Sequence, residues 1–189
     1  MTARPETLAA DQAHVPRAVA VVVNTRSRAG ADAYRRVHDR LVARGVRVVA
    51  AHALRHPARL APTIARLVNE GCDAVAVGGG DGTLRSAVGV FAGGDAVLGV
   101  IPVGTANSFA RALGVALDAE SAADVIADGW TARVDVGRIG ERYFAATAAI
   151  GVASAVSADM PPRLKRWLGY VSYALVGAAK LAATRPFRC

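Results

Sequence analysis

Val77-Gly78-Gly79-Gly80-Asp81-Gly82-Thr83-Leu84 joins an apolar, strand-like run, Cys72 to Val77, to a segment with helical character, Leu84 to Phe91. Four glycines so close together cost backbone entropy on folding. A chain that keeps them needs bare backbone there, for a left-handed φ or for close approach of a ligand. Asp81, the one acid among them, stands where a strand hands over to a helix. At such a junction free N–H groups and the helix dipole favour an anion. The pattern points to phosphate held by backbone, with a carboxylate beside it. A tight βα turn capped by Thr83 is the plainer alternative when the glycines are taken alone. The spacing excludes two other phosphate motifs. The sixth position counted from Gly78 or Gly80 is Thr83 or Arg85, not the glycine of a dinucleotide fingerprint, and no lysine is near enough for a P-loop.

Upstream and downstream the chain alternates strand and helix. Met1 to Pro16 reads as a flexible tail. Ala18 to Val23 is a continuous apolar run of the kind buried on both faces of a parallel sheet. The polar loop Asn24 to Gly30 follows, then a helix over Ala31 to Arg44 with Gly45 at its C′ position. Val46 to Ala51 reads as a second strand and Pro57 to Asn69 as a second helix closed by Gly71. After the glycine-rich segment, Ala96 to Ile101 is a fourth strand ending in a loop, Pro102-Val103-Gly104-Thr105-Ala106-Asn107-Ser108-Phe109-Ala110-Arg111. Strands joined by right-handed crossovers are parallel, so the loops after strands one, three and four all emerge at the carboxyl edge, where open α/β sheets bind ligands. Three such loops favour a phosphate site, although Thr105 and Asn107 also fit as caps and turn formers.

Composition narrows the alternatives. The 189 residues suffice for one full domain and part of another, and 53% hydrophobic against 20% charged residues is a globular balance. The net charge of +8 suits anionic ligands or surfaces, and equally reflects an Ala/Arg/Val-rich composition. Aromatic residues at 5%, with no basic run between them, argue against nucleic acid as a partner. Two cysteines, Cys72 and Cys189, form neither a disulfide framework nor a metal spacing, and the His52/His56 pair is interrupted by Pro57. The N-terminal stretch has no apolar signal segment, which gives a cytoplasmic expectation.

Gly79-Gly80-Asp81-Gly82-Thr83 followed by Pro102-x-Gly104-Thr105-x-Asn107 resembles the catalytic domain of diacylglycerol kinases, shared with sphingosine, ceramide and bacterial lipid kinases. The GGDGT element alone also occurs in NAD kinases and phosphofructokinases; the second element points to the lipid-kinase branch. Asn24 and Ser27 fit the family's Asn-Pro-x-Ser-Gly loop, with Thr25 and Arg28 in place of the proline and glycine. The resemblance implies a doubly wound, mostly parallel α/β domain over residues 17–130 and the start of an incomplete β-rich second domain over residues 131–189. It implies ATP and Mg²⁺ as cofactors, a lipid alcohol such as diacylglycerol as acceptor, and a location at the inner membrane face. Asn24, Ser27, Gly79, Gly80, Gly82, Thr83, Gly104, Thr105 and Asn107 would contact the nucleotide, and Asp81 would place phosphate or metal as the catalytic acid. Metal ligands stay unassigned.

The departures are specific. Ser86 and Ser108 stand where relatives often carry Glu and Asp, Ala53 and Leu54 replace a nucleotide-contacting threonine, and Phe144-Ala145-Ala146 replaces Phe-x-Asn. Relatives continue beyond residue 189 into a segment with the family's proposed general base, so the chain resembles a C-terminally truncated member. The expectation for residues 1–189 is therefore weak ATP binding, no lipid kinase activity, and self-association into a homo-oligomer. A non-catalytic nucleotide-binding module and a soluble kinase of NAD-kinase type are the alternatives. Trp130 to Val136 reads as a strand, and Ile139 to Arg142 as the turn of a hairpin leading into Tyr143 to Ile150. Pro161 onward reads as an amphipathic helix through Trp167, too broken by Lys180 to span a bilayer.

Overall fold

The computed structural model describes Pro16, residues 18–26 and residues 29–145. The described chain begins with β1 (Val19–Asn24), α1 (Gly30–Ala43), β2 (Val48–Leu54), α2 (Leu60–Asn69), β3 (Ala74–Gly79) and α3 (Asp81–Phe91). They are followed by β4 (Val97–Pro102), α4 (Ser108–Ala112), α5 (Ala119–Asp128) and a small hairpin, β5 (Gly137–Ile139) and β6 (Arg142–Phe144). A 3-10 turn, Pro57–Arg59, leads into α2.

The sheet is four-stranded, in the order β2-β1-β3-β4, and every pairing within it is parallel. Side chains alternate between its faces. Ala20, Val22, Val75, Val77 and Val100 pack with Leu60, Ile64, Leu67, Leu84 and Val88 of α2 and α3. Val19, Val21, Val23, Ala74, Ala76 and Ile101 pack with Val37 and Leu41 of α1 and with Ala122 and Ala123 of α5. The result is an α/β/α sandwich in which β1 and β3 are almost wholly buried, which is why their sequences run apolar without alternation. The chain moves from β1 to β2 with α1 on one face, then reverses to β3 and β4 with α2 and α3 on the other. Right-handed crossovers require that change of face.

Helix ends follow their sequence signals. Gly45, at φ 76°, donates its N–H to the Val42 carbonyl, and Val46 donates to that of Leu41, the paired closure expected of a C′ glycine. At the start of α5, the Asp118 carboxylate accepts the Ser121 N–H at 2.8 Å, and that bond holds its pKa below the usual carboxylate range. Most element bounds fall within two or three residues of the sequence reading.

Two expectations fail. Residues 132–136 form no strand, and the short β5 begins only at Gly137. Val136 lies against the α2–α3 side of the core while Val134 is exposed, so the apolar alternation there marks no strand. The loop after β4, read as continuing to Arg111, instead becomes helix α4 at Ser108. Phe109 and Ala110 are buried there, and burial of a two-residue apolar face sets the helix despite its short length. The hairpin joins the domain through Tyr143, whose ring packs over Gly89 of α3. The continuation from residue 146, including the reading of a helix from Pro161, lies outside the described residues, as does most of the N-terminal tail. Among the described residues no helix is long and apolar enough to cross a membrane.

Candidate functional site

Reversal of direction between β1 and β3 opens a crevice at their carboxyl ends, and three loops converge there. From β1 comes Asn24, half-buried. Its Nδ2 donates to Thr83 Oγ1 at 3.0 Å, and its Oδ1 accepts the Arg26 N–H at 3.1 Å, so one side chain ties the first loop to the start of α3. Ser27 lies outside the described residues.

β3 runs two residues further than the sequence reading, through Gly78 and Gly79, and Gly80 is the N-cap of α3. Asp81 is thus the first helical residue and Thr83 the third, so Thr83 is not the cap. The Gly80 carbonyl accepts from both Thr83 and Leu84, at 2.9 and 3.1 Å. None of Gly78, Gly79, Gly80 and Gly82 has a positive φ, so the left-handed alternative does not explain them. Close approach does. A Cβ on Gly79 would overlap the Thr83 side chain, which folds back over the strand end. A Cβ on Gly80 would meet Gly104 Cα at 3.1 Å, and one on Gly104 would overlap Gly80 Cα. Two backbones touch there, and neither has room for a side chain. Gly82 faces open space.

The loop from β4 is drawn in by polar bonds as well. Val103 N–H donates to the Gly79 carbonyl at 3.2 Å. Asn107 is buried, and its amide bonds both polar groups of Gly104: Oδ1 accepts the N–H at 2.9 Å and Nδ2 donates to the carbonyl at 3.1 Å. Asp81 Oδ1 accepts the Phe109 N–H at 3.1 Å, so the carboxylate of the first element secures the first turn of α4. Thr105 is exposed and its side chain makes no hydrogen bond among the described residues. Ser86 donates to the Gly82 carbonyl at 3.0 Å, one turn into α3. The structure therefore gathers Asn24, Gly79, Gly80, Asp81, Thr83, Gly104 and Asn107 into one bonded cluster, with Gly82 and Thr105 on its open side.

Chemically, the cluster presents the N-terminus of an eleven-residue helix, two bare backbone segments and one carboxylate with a second oxygen beyond its Phe109 bond. Two loops packed backbone to backbone beside a helix N-terminus, with Gly82 facing open space, suit polyphosphate. No group of three or more His, Cys, Asp or Glu side chains forms a metal cage among the described residues. A Mg²⁺ ion that keeps its waters and rides on phosphate oxygens needs only one or two carboxylates, so Asp81 meets that requirement.

A second polar cluster was not anticipated. Asp124 of α5, buried, receives Arg40 Nε and Nη2 at 2.8 Å each and Arg44 Nη1 at 2.7 Å, while Arg44 also pairs with Asp128. The Arg40 bonds hold the Asp124 carboxyl below its usual range, against the opposing effect of burial. The signal in sequence was the spacing: Arg40/Arg44 and Asp124/Asp128 are each four apart, hence each on one helical face.

Comparison with known proteins agrees with this geometry. Residues 18–139 match the family described as diacylglycerol kinase catalytic domain. A protein named diacylglycerol kinase from Mycobacterium tuberculosis (strain H37Rv) is 40% identical over 158 residues, covering 78% of this chain and 49% of that protein. One of the same name from Bacillus subtilis (strain 168) is 40% identical over 117 residues, covering 60% of this chain and 39% of its own length. The chain thus spans about half the length, or less, of these curated relatives. Among solved structures, a diacylglycerol kinase from Bacillus anthracis str. Sterne superposes with a TM-score of 0.61 at 24% identity, over 69% of this chain and 46% of that one. At that identity the superposition speaks for the fold alone.

Proposed function

The chain belongs to the diacylglycerol kinase catalytic domain family, and we propose that it is the nucleotide-binding part of an ATP-dependent lipid kinase that transfers the γ-phosphoryl group to a lipid hydroxyl such as that of diacylglycerol. The observation that carries this reading is the contact of Gly80 with Gly104, between the loops after β3 and β4, bordered by the α3 N-terminus and by Asp81. Such a surface binds phosphate through backbone N–H groups, and a side chain at either glycine would push the two loops apart. The 40% identical relatives named diacylglycerol kinase support the choice of a lipid alcohol as acceptor.

Bound ATP supplies the transferable phosphoryl group. The protein's share is positioning and charge neutralisation, which dominate phosphoryl transfer. Asn24 and Thr83 hold the first loop on α3, and the Gly104 to Asn107 loop closes the opposite wall. Asp81 accepts the Phe109 N–H with one oxygen, and its other oxygen would hold Mg²⁺, which would supply charge neutralisation on the phosphates. Gly79, Gly82 and Thr105 complete the contacts, with Ser27 assigned to them by its place in the first loop. A soluble kinase of NAD-kinase type shares the first element, but the second loop and the named relatives both favour the lipid branch.

Two measurements test the reading. Calorimetry with ATP and Mg²⁺ on the 189-residue chain should detect saturable binding. Labelled γ-phosphoryl should reach diacylglycerol in mixed vesicles when the protein carries the sequence that follows residue 189 in its reading frame. Label appearing on a soluble nucleotide cofactor and not on lipid would overturn the acceptor assignment.

A further inference from the structure

We infer that Asn107 acts on the second loop and not on the nucleotide: it is a positioning residue that holds Gly104 against Gly80. The inference rests on the nucleotide reading above and changes the role that the family resemblance gives this asparagine.

Asn107 is the one non-glycine residue with a positive φ among the described residues, at 49°. A left-handed conformation is costly for residues with a Cβ, and asparagine is among the few that visit it. Strain of this kind persists where surrounding bonds over-determine it. Here they do. The Asn107 side chain closes a ring on Gly104 with one bond accepted and one donated, and its own carbonyl accepts the Arg111 N–H at 3.0 Å to open α4. The residue is only 6% exposed, so the amide is turned into the protein and is not offered to the crevice. Arg111 returns across the same loop and donates Nε to the Ala106 carbonyl at 3.0 Å.

The ring has a steric consequence. A Cβ on Gly104 would meet Asn107 Oδ1 at 2.8 Å as well as the Gly80 backbone, so Gly104 is hemmed in by both the asparagine amide and the loop after β3. Releasing the amide frees Gly104 to retreat and widens the contact that forms the cradle. Thr105, exposed and without a hydrogen bond among the described residues, is then the side chain of this loop that faces a ligand. The two residues divide the work: Asn107 inside, setting the backbone, and Thr105 outside.

The test is a double-mutant cycle read by two methods on the 189-residue chain. Asn107→Ala and Gly104→Ala should each weaken ATP–Mg²⁺ binding by about tenfold, and the double variant should be no weaker than the worse single one, because both disturb one contact. Amide hydrogen exchange at Gly104 should accelerate at least roughly tenfold in Asn107→Ala and in Asn107→Gly, since glycine relieves the backbone strain but cannot supply the amide. Multiplying losses of about a hundredfold in the double variant would mean that Asn107 touches nucleotide independently, and would overturn the inference. Unchanged Gly104 exchange in both Asn107 variants would overturn it too. A wild-type chain that binds no ATP would remove the functional reading, while the exchange at Gly104 would still decide the positioning role.

Discussion

The molecule has two polar clusters, and they are built on opposite logics. Between α1 and α5, four charged side chains neutralise one another: Arg40 and Arg44 surround Asp124, and Arg44 reaches on to Asp128. At the carboxyl edge of the sheet, a single carboxylate and two asparagines are bonded mostly to backbone, and the centre of the cluster has no side chain at all. The first cluster has the strongest electrostatics and a carboxyl displaced from its usual pKa. Perturbed titration marks functional sites only on average, because structural ion pairs perturb it as well. The two differ in what they leave open. The ion-pair cluster has matched each charge with an opposite one, whereas the glycine cluster keeps Gly82 in open space, an exposed threonine and the start of a helix.

The comparison is broken most directly at the glycines. Gly104→Ala should have a larger effect than Gly80→Ala. Its Cβ would overlap Gly80 Cα, so the loops must separate, with a stability cost of about 1–3 kcal/mol as for other overpacked sites. Gly80→Ala meets Gly104 Cα at 3.1 Å and needs only a small retreat, so its loss of ATP affinity should be clearly smaller. Calorimetric affinities and melting curves of the two variants check the order. Equal, unaffected nucleotide binding in both would reduce the cluster to an ordinary turn.

Asp81 separates structure from chemistry next. Asp81→Asn keeps an oxygen to accept the Phe109 N–H, so its melting temperature should stay close to wild type while phosphoryl transfer collapses in an active, full-length protein. Asp81→Ala also loses the acceptor and should lower stability by roughly 1 kcal/mol more than the asparagine variant. An asparagine variant with near-normal turnover would show that the charge is not needed, leaving Asp81 as the residue that secures α4.

The smallest effects belong to the ion-pair face. Asp124→Asn should lower the melting temperature by about 2–4 °C, as its partners are partly solvated and the pairing is screened. ATP affinity should not change. The pH dependence follows from sign. The Asp124 carboxyl is lowered in the folded state, so its contribution is present above the unfolded carboxylate pKa of about 3.9 and is lost as pH falls through the folded value. Wild type should lose stability more steeply than Asp124→Asn below about pH 4, in melting curves taken across that range. Parallel curves would show that the pairing adds nothing.

Much of the fold was legible because its signals are local. The continuous apolar runs of β1 and β3 announce strands covered on both faces, and Gly45 and Gly71 mark helix ends at residues with φ of 76° and 91°. The short helix α4 was not legible. Five residues carry too little periodicity to be read, and what makes Ser108–Ala112 helical is the Asp81 carboxylate twenty-eight positions before Phe109 and the burial of Phe109 itself. Likewise Val134 and Val136 alternate like a strand, yet no partner strand pairs with them among the described residues.

Residue types and spacing alone determined the parallel α/β order, the carboxyl-edge location of the site and the identity of its glycines, because hydrophobic period and crossover handedness leave few alternatives. Why the glycines are needed was decided only in three dimensions. A left-handed φ and a close approach call for the same residue, and the folded chain uses approach: Gly80 meets Gly104 across twenty-four positions of sequence, while the left-handed turn falls to Asn107. The arginine and aspartate pairs tell the same story. Spacing of four places each pair on one face of its helix, but that α1 and α5 cover neighbouring parts of the same sheet face is a property of the packed fold, since charge carries no record of which helix will lie beside it.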